Sequence, residues 1–182
     1  QVHRDIDMVT TPDGAPVAMV HTNNCSSDIN AWAAVFNQFA RILGVTLSPN
    51  ELYEKLFDAS LSGEQDGGGL VNFSYLSGEN ITRVDEGRPL LVRKPDSRFN
   101  LANLFKVQLY SAFAPLKIGM DILLREEHIR TDVLIAQGGL FKTVSFPVYT
   151  CYDLSKRLPS DNAWCLFSPF QFEGDEITTG IT

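Results

Sequence analysis

The stretch NLANLFKVQLYSAFAPLKIGMDIL, residues 100–123, carries Leu101, Leu104, Phe105, Leu109, Ala112, Leu116, Met120 and Leu123 at helical spacing. One apolar stripe over good helix formers predicts a helix across 100–124. Pro115 interrupts it: a proline removes one backbone hydrogen bond and crowds the carbonyl four residues back, at a cost of ~3 kcal/mol in a straight helix, so a kink is expected there. The mixed charge of REEHIRTD (125–132) ends the helix. DVLIA (132–136) then reads as a fully buried strand, and Gly138 and Gly139 follow almost at once. Helix, strand and Gly-rich turn make the second half of an α/β unit.

Upstream, the turn PDG (12–14) opens PVAMVHT (16–22), a predicted strand. From Ile29 the apolar residues Trp32, Ala33, Phe36, Ala40 and Leu43 fall on one face of a second helix, and Gly44 supplies its C-terminal cap. Ser48-Pro49-Asn50-Glu51 has the form of a capping box with proline in the first helical position, predicting a short helix through Leu52, Leu56 and Phe57. LSGEQDGGG (61–69) reads as a flexible connection, because three glycines in a row disfavour either regular element. VNFSYL (71–76) is a predicted strand. Residues 81–99, broken by Pro89 and Pro95, form an extended loop with one short strand around Leu90–Val92. Asp96, Ser97, Arg98 and Asn100 suit the cap of the long helix. Beyond Thr143 no helical period remains and Pro147, Pro159 and Pro169 break the chain. Residues 144–182 are therefore expected to be an irregular, less ordered tail on a domain over 1–143.

The 182 residues, 44% of them hydrophobic, suit a globular protein with room for one good core. A net charge of −7 argues against holding a phosphate backbone by bulk electrostatics, so no nucleic-acid partner is expected. No uninterrupted run reaches the ~18 apolar residues of a membrane span, and the charged start QVHRDIDM is unlike a signal peptide. The expectation is a cytoplasmic chain without a membrane partner. Cys25, Cys151 and Cys165 form no CxxC pair, and His3, His21 and His128 lack ligand spacing, so a structural metal site is not expected. The cysteines read as buried, reduced thiols.

The pair Gly138-Gly139 sits in VLIAQGGLFKT (133–143), which is neither a P-loop, since Phe141 stands where that motif has glycine before lysine, nor GxGxxG. Two glycines after a buried strand can turn the chain sharply or let a flat ligand lie against bare backbone, and the turn is the commoner use. Taken in order, YLSGE (75–79), the helix over 100–123 and VLIAQGGLFKT resemble the C-terminal domain of the FGGY carbohydrate kinases. There a YLSGER-type loop precedes a long helix, a strand and a GGGAKS-type adenosine motif. VTTPDGAPVAMVHTNNCSSDINAW (9–32) is similar, more specifically, to the xylulokinase-like or ribulokinase-like branch, and the resemblance covers roughly residues 1–143.

The resemblance implies an α/β domain of the actin-like ATPase (ribonuclease H-like) type, incomplete in this chain, and an enzyme that phosphorylates a ketose such as xylulose or ribulose with ATP and Mg2+. By resemblance Gly138 and Gly139 lie against adenosine, with Leu140, Lys142 and Thr143 continuing the motif. Lys142 is either a solvated lysine at a helix start or a direct nucleotide contact, and Glu79 suits a carboxylate capping a neighbouring amide better than a catalytic group. In the family the proton-accepting Asp and the first phosphate loop lie in an upstream domain, through which sugar and ATP would be partners. A second phosphate loop of Gly-Thr-Ser type is expected just before residue 1. The chain by itself is thus expected to transfer no phosphate. A homodimer, and a non-catalytic α/β module kept for binding or assembly, stay open.

Overall fold

The computed structural model describes residues 3–129. The predicted strand at Pro16 is real but short: β2 (Pro16–Met19) pairs antiparallel with β1 (Asp7–Thr10), Asp7 opposite Met19 and Thr10 opposite Pro16. Their turn is closed by Thr11, whose amide donates to the Ala15 carbonyl at 2.9 Å, and by Gly14 in a left-handed conformation. The first helix, α1, spans Ser27–Ile42 and ends at Gly44, whose φ of +77° favours glycine. The second, α2 (Pro49–Leu61), starts on the predicted capping box: Ser48 Oγ accepts from the Glu51 amide at 3.3 Å, and the Glu51 carboxylate accepts from the Ser48 amide at 2.8 Å.

The triple glycine departs from expectation. Gly67–Gly69 is a tight 3₁₀ turn with φ of +67°, +65° and +75°, and Gly67 and Gly68 are buried. It leads into β3 (Leu70–Phe73), which pairs antiparallel with β4 (Leu90–Arg93). The long helix α3 (Leu101–Asp121) is capped by Asn100, whose side chain accepts from the Asn103 amide at 2.8 Å, and runs through Pro115 as one element. It ends in a π-helical turn, Ile122–Glu126. Ser97, expected near that cap, instead accepts from the Lys94 amide at 2.8 Å and donates to the Gly69 carbonyl at 3.1 Å.

The core lies where α1, α2 and α3 meet, built on Ile29, Ala33, Leu56, Phe57, Phe105 and Leu109, with the rings of Phe36 and Phe105 5.6 Å apart. Each of the isoleucine, leucine and phenylalanine side chains contributes about 1.5–3 kcal/mol on burial. Of the predicted α3 stripe, Leu104, Phe105, Leu109, Ala112 and Leu123 are buried, whereas Leu101 and Leu116 are exposed, and every residue from Asn103 to Leu109 is buried. Leu101–Glu126 is long and apolar enough, by length and composition, to cross a membrane, with a mean hydropathy of 1.2, but half of its apolar window is buried inside this domain. Cys25, expected to be buried, is exposed and unpaired, although local desolvation still raises its thiol pKa. Cys151 and Cys165, the strand at 132–136, the glycine motif and the 143–144 boundary lie outside the described residues.

Candidate functional site

Two polar assemblies hold the loops around α1. In the first, the YLSGE loop turns back on itself, Glu79 and Val84 exchanging backbone hydrogen bonds of 2.7 and 3.0 Å. Gly78 is obligatory there, because a Cβ would meet the carbonyl oxygens of Val84 and Asp85. Glu79, fully buried, accepts through Oε2 from the amides of Asn23 (3.0 Å) and Asn24 (3.3 Å) and from Asn24 Nδ2 (3.2 Å). Asn24 closes the clasp, accepting from the Ser77 amide at 2.9 Å and donating to the Ser77 carbonyl at 2.7 Å. This is the amide-capping role expected of Glu79. Its Oε1 is buried with no hydrogen-bond partner among the described residues.

In the second assembly Asp28, in the first turn of α1, reaches β3 and α3. Asn72 Nδ2 donates to Asp28 Oδ2 at 3.3 Å and to Ser111 Oγ at 2.8 Å. The Gln108 carboxamide satisfies both its neighbours when its nitrogen donates to Asp28 Oδ2 and its oxygen accepts from Trp32 Nε1, each at 2.9 Å. Burial pushes the Asp28 carboxyl above its ordinary pKa, against the pull of the Asn72 and Gln108 amides. Asp28 and Asn72 also touch the floor of an open groove of about 240 Å3, walled by Ala31, Trp32, Val35 and Leu90.

Sequence reasoning missed the second assembly. The available signal was polar Gln108 and Ser111 set into the apolar stripe of α3 beside Leu109 and Ala112. Both assemblies chiefly position: they carry carboxylates tied down by amides, and no group of three acidic, His or Cys side chains able to hold a metal occurs among the described residues. The sequence-predicted adenosine residues Gly138, Gly139, Leu140, Lys142 and Thr143 lie outside those residues.

Residues 1–146 match the model of the FGGY family of carbohydrate kinases, C-terminal domain. The chain belongs to that family. The FGGY domain also superimposes on the crystal structure of xylulose kinase from Bifidobacterium adolescentis with a TM-score of 0.56 and 17% sequence identity, over 79% of this chain and 26% of that one. At such identity the likeness is one of fold, and it makes the α/β architecture that of an actin-like ATPase domain in part. The FGGY chain spans about a quarter of the length of that kinase. No curated protein matches it.

Proposed function

We propose that this chain supplies the adenosine side of the ATP site in a cytoplasmic kinase that phosphorylates a ketose such as xylulose or ribulose. The observation that supports it most is the reach of the family match, which runs to residue 146 and so spans the glycine motif after the long helix. Gly138 and Gly139 would leave bare backbone for the purine face, since any side chain there would fill that space. Leu140 and Thr143 would continue the wall, and Lys142 would set its positive charge toward the phosphates.

Phosphoryl transfer asks a protein mainly for positioning and charge neutralisation, together with a carboxylate to take the hydroxyl proton. In this reading the carboxylate and the phosphate loops come from the upstream domain, and Mg2+ would neutralise charge on the phosphates, held by groups other than the described residues. The contribution of this chain is to bind and orient the nucleotide. Two clasps support that role: Glu79 ties the YLSGE loop to Asn23 and Asn24 just before α1, and the Asp28 assembly ties the start of α1 to α3.

Gly139→Val in the complete kinase separates a ligand-facing glycine from a purely structural one. ATP affinity, measured by calorimetry on the folded fraction, is expected to fall at least about 10-fold, more than the ~1 kcal/mol or so that positive φ costs a non-glycine residue would account for in stability. A thermal midpoint that drops sharply while ATP affinity stays unchanged would remove the glycines from the nucleotide site.

A further inference from the structure

The last turn of α3 is wound wider than an α-helix. The Glu127 amide donates to the Ile122 carbonyl at 3.1 Å, five residues back, where an α-turn would bring the Glu126 amide to that carbonyl. The turn closes through His128, whose φ of +55° is left-handed backbone that a non-glycine residue holds at a cost, and the Ile129 amide then donates to the Leu123 carbonyl at 3.0 Å. Two acids stand side by side here, and one imidazole faces both. His3 Nε2 lies 2.5 Å from Glu127 Oε1, and His3 Nδ1 lies 3.9 Å from Glu126 Oε2. Glu127, which holds the close contact, is the more enclosed of the two: 27% of its side chain is exposed, against 61% for Glu126.

We propose that the end of α3 is a two-register element: the π-turn that sets Glu127 on His3 exchanges with an α-turn in which Glu126 takes the same place. The residue stacked one turn beyond Ile122 is the fifth along in a π-turn and the fourth in an α-turn, and both positions are glutamate. A carboxylate therefore meets the imidazole in either register. The α-turn gains regular hydrogen-bond spacing and releases the left-handed residue, while the π-turn has the carboxylate already seated. Leu123, 4% exposed, and Asp121, paired with Lys117, fix the helix up to the turn. A change of one residue in register rotates whatever follows by about 100° and shifts it by about 1.5 Å. The segment that leads into the β1–β2 hairpin thus selects, through His3, the direction in which the chain leaves α3.

Nuclear magnetic resonance couplings across hydrogen bonds read the register directly in the 182-residue chain. A coupling from amide 127 to carbonyl 122 marks the π-turn, and one from amide 126 to carbonyl 122 marks the α-turn. The parent is expected to show the first, with microsecond-to-millisecond exchange over Ile122–Ile129 from a minor state of about 1–10%. Glu127→Ala is expected to make the second coupling the main one, whereas Glu126→Ala is expected to cut the minor population at least about 5-fold. Both variants place alanine in the same turn, so helix propensity is matched and the opposite signs isolate the contact. In a His3→Ala background the two should lose their opposition, with the signals of α2 unchanged throughout. Absence of exchange in the parent overturns the proposal, as does a π-turn retained in Glu127→Ala. An equal response of the two variants also overturns it, since the turn would then be a passive end of the helix.

Discussion

Gly68 and Gly44 both hold left-handed backbone, with φ of +65° and +77°, yet their surroundings differ. A Cβ on Gly44 would meet nothing within 4 Å, whereas one on Gly68 would overlap the Asn103 carboxamide and come within 2.9 Å of the Arg98 carbonyl oxygen. That carbonyl accepts from Asn103 Nδ2 at 2.8 Å, and the Arg98 amide donates to the Gly68 carbonyl at 2.9 Å, so neither neighbour can yield without breaking a hydrogen bond. Gly44→Ala should therefore cost only the conformational term of about 1 kcal/mol. Gly68→Ala should cost that plus an overlap of roughly 1–3 kcal/mol. Chemical denaturation of the two variants checks the difference, and equal losses would mean that the turn shifts freely.

At the scale of elements, Asp28 joins α1 to β3 and α3 through amides alone, and its pKa is raised because burial disfavours the charged form more than Asn72 and Gln108 favour it. A carboxyl whose folded pKa lies above its unfolded value contributes most below the unfolded value of about 3.9. That contribution is lost as pH rises through the folded value. Asp28→Asn keeps an acceptor for both amides and removes the charge. Its thermal midpoint in dilute solution should thus exceed the parent's at pH 7, and the gap should close as pH falls toward about 3.9. A gap that does not change with pH would show that the charge is not the cause. The capping box of α2 was legible in four residues because all its partners lie within one turn. The Asp28 assembly was not, because its members come from three elements far apart in the chain, Asn72 lying 44 residues from Asp28 and 39 from Ser111.

For the molecule as a whole, the hairpin of β1 and β2 is held against the far end of α3. His3 Nε2 lies 2.5 Å from a Glu127 carboxylate oxygen, and a Cβ on Gly119 would overlap the Val20 methyls. Gly119 is not strained in φ, so its smallness serves the close approach of strand end and helix. Gly119→Leu should push the hairpin off α3 at a cost of roughly 1–3 kcal/mol. Hydrogen exchange should quicken at the amides of Asp7–Thr10 and Val17–Met19 while α2 keeps its protection. Unchanged protection in the hairpin would mean that it folds without this contact.

The sequence alone determined what depends on near neighbours: the three helices, the ends at Gly44 and Ser48, the amide-capping use of Glu79, and the family, carried by motifs in a fixed order, while for α3 it marked the cap region over 96–100 without singling out Asn100. Periodicity and capping act within a few residues and leave their mark in the string. The tertiary structure decided the rest. It turned the triple glycine from a loose connection into a buried left-handed turn, because α3 passes so close that Val107 and Asn103 leave no room for a Cβ. It left Leu101 and Leu116 of the α3 stripe exposed and surrounded Asn103–Leu109 on all sides. It also left Val35, Phe39 and Ile42 of α1 bare. Which face of an apolar helix is covered depends on partners far along the chain, and periodicity within the helix carries no information about them.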